Sequence, residues 1–405
     1  MPPRAREPGG DTPRGDWPVL IGAAFLMATS AIGPGFLTQT AVFTTQLGAS
    51  FGFAIVVSIG VDLVAQLNIW RIVVGQGRPA QVLANELIPG LGHLLSVLVA
   101  IGGLAFNIGN VAGAGLGLNA LFGLETRIGA ALSAALAIAI FLSKEAGRAM
   151  DRFAQALGIL MVVLAGYVAV AAHPPILEAV TRTVFPVQLS GLAIITIVGG
   201  TVGGYITFAG AHRLIDAGLA GPEGAARATR SAVLGIGVAS LMRIVLFLGA
   251  LGVVSAGLAI DPANPSASVF RHAAGEFGLR IFGLVMWAAS ITSVVGSAFT
   301  SVSFIRTLRV EWVARTREWI VGFIAASTLI FLLVGRPVTV LLLVGALNGL
   351  ILPLGLGAML AVAAKRKALE GPLAQSLAGF GVLVTLLMAG LGVYTLMTQI
   401  PQLLR

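Results

Sequence analysis

Asp62 and Arg243 are the two ionisable side chains that fall well inside apolar stretches of this sequence. A charge kept in such a place costs about 3 kcal/mol on insertion scales, so it is a functional candidate by default. Two chemistries fit the pair. One is structural: an ion pair between them, or a neutral acid hydrogen-bonded among helices. The other couples the movement of a solute to a proton or another ion, with Asn110 as a further candidate beside them. Asp62 and Gln66 are four residues apart, and Asn107 and Asn110 three apart, so each pair shares a helix face. Thr38, Gln39, Thr201 and Tyr205 flank two glycine-rich interruptions. Such neutral groups either line a binding site or tie helices together, the latter at about 0.6 kcal/mol each. His93, His173, His212 and His272 lie at the ends of apolar stretches or in loops, without ligand spacing, so no metal site is expected from them. Cys 0 removes disulfides, thiolate metal sites and cysteine nucleophiles. There is no G-x-x-x-x-G-K-[ST] loop and no H-E-x-x-H, so neither a cofactor, an enzyme activity nor ATP-driven transport is expected.

The elements that must position these residues are membrane helices. The chain is 57% hydrophobic and 10% charged, with a mean hydropathy of +0.97. Apolar runs of about 20 residues, each enough to cross a bilayer, recur throughout. Gly 53 fits close helix packing. Eleven spans are expected near 18–46, 50–74, 92–118, 127–143, 152–172, 189–219, 229–258, 279–305, 319–336, 337–362 and 373–399. Residues 1–17 read as a disordered cytosolic tail without a signal-peptide pattern. With the N-terminus inside, 18 Lys and Arg fall on inner loops and 6 on outer ones, Arg243 completing the 25. The positive-inside rule therefore predicts N-in and C-out in the cell's inner (plasma) membrane. The net charge of +9 is assigned to orientation and anionic lipid, with no nucleic-acid partner. Trp17, Trp70, Trp287, Trp312 and Trp319 read mostly as interfacial anchors.

Two spans are interrupted. "SAIGPGFLTQT" (Ser30 to Thr40) places Gly-Pro-Gly inside the first, and "VGGTVGGYITF" (Val198 to Phe208) places two glycine pairs inside the sixth. Glycine costs about 1 and proline about 3 kcal/mol in a helix interior. Glycine alone marks close packing, but two clusters in matched positions point to a secondary transporter with a midplane site. Spans one to five (18–172) and six to ten (189–362) would be inverted repeats, five being odd, with the eleventh (373–399) an addition. Broken backbone survives at that depth only where it is buried or lines a cavity.

The chain resembles the Nramp divalent-metal transporters. "LGASFGF" (Leu47 to Phe53) is similar to the start of their second span and "NVAGAGLGLNALFG" (Asn110 to Gly123) to the end of their third. "GPGF" falls where the family writes Asp-Pro-Gly-Asn, and "TVGGYITF" where it writes Thr-Val-Met-Pro-His. The resemblance implies an all-α, LeuT-type fold of five plus five helices, first and sixth broken, with proton-coupled uptake. It also implies that the family's metal ligands stand at Gly33, Phe36 and Gly203, its sixth-span His at Tyr205, and two acids of its proton route at Asn107 and Asn110.

A dication leaving water needs oxygen, nitrogen or thioether ligands and anionic charge. Gly33 and Gly203 offer backbone carbonyls and Phe36 an apolar ring. The expected solute is therefore a small carboxylate-bearing, amino-acid-like molecule moved with H⁺ or Na⁺, and the resemblance to Nramp-like branches without the metal motif implies 5-oxoproline as a candidate. Its expected site is Gly33, Pro34, Gly35, Phe36, Thr38, Asn107, Thr201, Gly203, Gly204 and Tyr205. The alternatives are a proton-coupled divalent-metal transporter and a membrane sensor that does not transport.

Overall fold

The computed structural model describes residues 33–305, 314–366 and 372–398. The expected tail, the first half of the first span, Trp17 and Trp312 lie outside these residues. The described elements are helical. Gly33 is extended (φ −93°, ψ −177°), and α1 (Pro34–Leu47) begins on the proline, whose fixed φ and missing N–H suit the first helical position. A 3-10 turn, Gly48–Ser50, leads into α2 (Phe51–Gln76). A short α3 (Ala80–Leu87) precedes α4 (Leu91–Phe122). The Glu125 carboxylate accepts from the Arg127 and Ile128 amides to start α5 (Thr126–Leu142). Then come α6 (Lys144–Ala171) and a short α7 (Ile176–Val184). The sixth span is two helices, α8 (Gly191–Thr201) and α9 (Gly204–Asp216). The rest are α10 (Gly221–Ser255), α11 (Pro265–Ile305, kinked at Gly275), α12 (Thr316–Val334), α13 (Pro337–Lys365) and α14 (Pro372–Thr398).

Among the described residues, 9 stretches are long and apolar enough to cross a membrane, α1 and α2 counting as one, and Thr126–Leu142 is a shorter apolar helix. The expected spans fall on these helices with shifted ends; α3 and α7, both in connections, were not foreseen. Apolar side chains such as Leu132, Val163, Leu333 and Leu383 are exposed along α5, α6, α12 and α14, the surface that lipid would cover.

Close approach at the centre depends on glycine. A Cβ on Gly113 of α4 would collide with the Pro34 ring, so the third span rests directly on the first-span break. Trp70 is not an interfacial anchor: it is 2% exposed, and its Nε1 donates to the Thr207 carbonyl at 2.9 Å, pinning α2 to α9. Trp287 likewise turns inward, donating to Ser133 Oγ at 3.0 Å. At one end of the bundle Glu86 of α3 pairs with Arg78 and with Arg366 just beyond α13. Lys365 Nζ donates to the Glu86 and Leu87 carbonyls, both at 3.4 Å. Arg78 beside it holds the Glu86 carboxyl below its ordinary value of 4.5, with Arg366 adding to the effect.

Candidate functional site

Each interruption ends in a helix N-terminus. In the sixth span α8 stops at Thr201, Gly203 is extended (φ −49°, ψ 166°), and α9 starts at Gly204. The two starts are alike: the Leu37 amide donates to the Gly33 carbonyl, and the Thr207 amide to the Gly203 carbonyl, each at 3.2 Å. One orphan amide of α9 has a partner from another span. The Tyr205 N–H donates to Asn348 Oδ1 at 3.2 Å. Asn348 is fixed by its own Nδ2, which donates to the Gly102 and Val344 carbonyls at 3.1 Å each. Gly203 packs on the Asn348 Cβ, and Gly204 on Ile351.

Two cavities meet these breaks. The larger, about 780 Å³, runs from Thr201, Val202 and Tyr205 to helix ends at Ser143, Met150 and Arg213. The smaller, about 10 Å³, is bounded by Gly33, Gly35, Phe36, Gln39, Asn110, Gly200 and Gly345, at the lower limit for a single water. Neither is lined by an Asp, Glu or His of the described residues, and Arg213 is the one charged side chain on either wall. Gln39 crosses the small void: its Nε2 donates to the Leu341 carbonyl at 3.1 Å, while its Oε1 is buried without a partner.

Arg243 of α10 lines neither cavity but touches one wall residue of each. Its guanidinium carbon sits 4.0 Å from the centroid of the Phe36 ring, and Nη2 donates to Thr201 Oγ1 at 3.0 Å. Nη1 is buried and unpartnered, as is Asp62 Oδ1. No ion pair within 4.0 Å joins Asp62 to Arg243 among the described bridges. Asp62 lines neither cavity; Gln66, one turn away, lines the large one.

Asn107 and Asn110 do share a face. Ser297 Oγ donates to Asn107 Oδ1 at 2.9 Å, Asn107 Nδ2 donates to Ser327 Oγ at 2.8 Å, and Asn110 Nδ2 donates to Ser297 Oγ at 3.4 Å. The Tyr205 hydroxyl donates to the Ser297 carbonyl at 3.3 Å. This neutral chain joins the third, sixth, eighth and ninth spans.

Of the expected site residues, Gly33, Gly35 and Phe36 line the small void with Asn110, and Thr201 and Tyr205 line the large cavity. Pro34, Gly203 and Gly204 are packing points behind the walls, Thr38 is buried on α1 facing neither cavity, and Asn107 sits within the polar chain. Asn348, Ser297, Ser327 and Arg213 were missed. Asn348 alone carried a signal, as the lone amide in the apolar run 337–362.

Comparison with known proteins places this geometry. The family described as "Natural resistance-associated macrophage protein-like" (Nramp) matches residues 24–398. The chain is 56% identical over 391 residues to the membrane protein YcsG of Bacillus subtilis (strain 168), covering 96% of each. A mutant of the Eremococcus coleocola manganese transporter superposes with a TM-score of 0.68 at 14% identity, over 97% of this chain and 92% of that one. MhsT in complex with L-phenylalanine superposes with a TM-score of 0.64 at 15% identity, over 95% of this chain and 100% of that one.

Proposed function

The chain belongs to the Nramp family and is a secondary transporter of LeuT-type fold, and we propose that its solute is a small organic molecule carrying a carboxylate. The observation behind this reading is the charge of the walls: among the described residues no acid or imidazole lines either cavity, and the one charged lining residue is Arg213. Two half-helix N-termini add partial positive charge at Gly33 and Gly204. A bare dication there would give up its water without an anionic ligand in return, at a cost of many kcal/mol. A carboxylate has the opposite sign and the right acceptors. The manganese transporter and MhsT share one fold, so the fold does not choose the cargo; the side chains at the breaks do.

The working cycle follows from the two cavities. The large cavity is the route to the cytosol, because its mouth carries Arg213 and lies among the basic inner loops, with the N-terminus inside and the C-terminus outside. The small void is the closed remnant of the outer route, sealed where Gln39 of α1 holds the Leu341 carbonyl of α13. Either H⁺ or Na⁺ is the coupling ion in this reading, and Asp62, buried with an unpartnered oxygen, is the acid proposed to carry a proton.

Uptake into proteoliposomes tests the proposal. Labelled 5-oxoproline and amino acids are offered in parallel with Mn²⁺ and a fluorescent metal reporter. Concentrative uptake of a carboxylate solute is expected. Manganese uptake without organic uptake overturns the reading, and binding of the organic solute without uptake supports a sensor instead. Asp62→Asn is expected to flatten the pH dependence of uptake; an unchanged profile removes Asp62 from the proton route.

A further inference from the structure

We propose that Arg243, which lies behind a wall residue of each cavity, is the solute-carboxylate receptor of this transporter; the assignment rests on the carboxylate reading above. Arg243 is 3% exposed, and a guanidinium in that setting is strongly disfavoured unless its donors are used. One donor is used: Nη2 bonds Thr201 Oγ1. The cation face is used as well, by the Phe36 ring at 4.0 Å. Nη1 is unused. Asp62, the acid buried in a described span, stands beyond ion-pair distance with an unpartnered oxygen of its own. A buried cation held at one N–H and over one face, with Nη1 unused, is arranged to receive an acceptor that comes and goes.

Its two partners belong to different compartments. Thr201 lines the large cavity, as do Ala239 and Met242 from the arginine's own helix. Phe36 lines the small void with Gly33 and Gly35. Arg243 therefore forms part of the partition between the two routes and touches both broken spans at their breaks. Nη1 is buried behind both walls, so a carboxylate bonds it once Thr201 or Phe36 gives way, with the amides at the half-helix starts near its second oxygen. The planar fork favours two parallel hydrogen bonds to a carboxylate, which lysine cannot copy. Arg213, farther along the large cavity, is the first cation met from that mouth and leads an anion inward.

This assigns a specificity. The solute is recognised by its carboxylate, and an analogue with a carboxamide in that place, which offers one acceptor and no charge, is rejected. The probes are labelled 5-oxoproline and its carboxamide, measured by binding and uptake on the full chain in nanodiscs and proteoliposomes. Arg243→Gln is expected to weaken 5-oxoproline binding by about 10- to 100-fold, the loss of a charge-assisted bond, and to abolish the preference for carboxylate over carboxamide. Arg243→Lys is expected to fall between wild type and Gln. Thr201→Val keeps the cation but frees its orientation, with a smaller rise in KM. A monodisperse Arg243→Gln protein with unchanged affinity and preference overturns the assignment while leaving the transport reading intact. Where Arg243→Gln does not fold, an unchanged carboxylate preference in both Arg243→Lys and Thr201→Val overturns it. A wild-type protein that binds no carboxylate overturns the functional reading and the receptor together.

Discussion

Asn348 holds the sixth-span break in shape. Its Oδ1 accepts the Tyr205 amide, and its Nδ2 serves two carbonyls on the third and tenth spans. Replacing it with leucine keeps the bulk, strands the Tyr205 amide and removes the second donor to the Gly102 and Val344 carbonyls, which keep their intrahelical bonds. An unsatisfied buried donor or acceptor costs about 1–3 kcal/mol, so Asn348→Leu should lower the thermal midpoint of the purified protein clearly. Asn348→Asp keeps the acceptor and should behave better than leucine; equal loss in both would mean that the amide capping is not what stabilises the break. Ser297 is a similar junction, accepting from Asn110 and donating to Asn107. Both residues sit in apolar helices whose faces are all buried or lipid-covered, so periodicity gives no hint of which way they point. The third-span pair was legible from its spacing alone; its partners were not.

At the scale of elements, the first break is built by two helices. Proline starts α1, and Gly113 of α4 makes room for its ring. Gly113→Val adds bulk where a single Cβ already overlaps the ring. Overpacking of this kind costs about 1–3 kcal/mol, and uptake should fall with stability, whereas Gly60→Ala, which faces open space on α2, should leave both unchanged. A second element-scale prediction concerns α3. Its Glu86 joins Arg78 and Arg366 at the end of α13. The Glu86 carboxyl is held below its ordinary 4.5, first by the Arg78 hydrogen bond. Depression means the folded form binds the proton less readily than the unfolded one. The contribution is therefore fully present above pH 4.5 and is lost as pH falls through the lower folded value. Corrected for the intrinsic exchange rate at each pH, amide protection over 80–87 should be high at neutral pH and lower in acid, and Glu86→Gln should show the lower protection already at neutral pH. The short α3 and α7 escaped sequence reading because connections between spans carry no bilayer-length signal.

At the scale of the whole molecule, the proposed cycle has the route through the large cavity open and the other shut around the breaks. With Cys 0 in the sequence, single cysteines can report this without background. Thr292→Cys lines the large cavity and Gly109→Cys the small void. In inside-out vesicles a membrane-impermeant thiol reagent should label the first and spare the second. Labelling of Thr292→Cys from the outer face alone would reverse the orientation assigned here.

The sequence by itself determined the membrane class, the positions of both breaks, the family resemblance and the two buried charges, because hydropathy, proline, glycine and charge are local properties written residue by residue. It left the relation of those charges open between an ion pair and a coupling site. Only the tertiary structure decided that Arg243 leans on Phe36 and bonds Thr201, away from Asp62. That relation depends on how three separate helices rotate and approach, and packing between nearly uniform apolar surfaces is set by the shapes of all the neighbours at once.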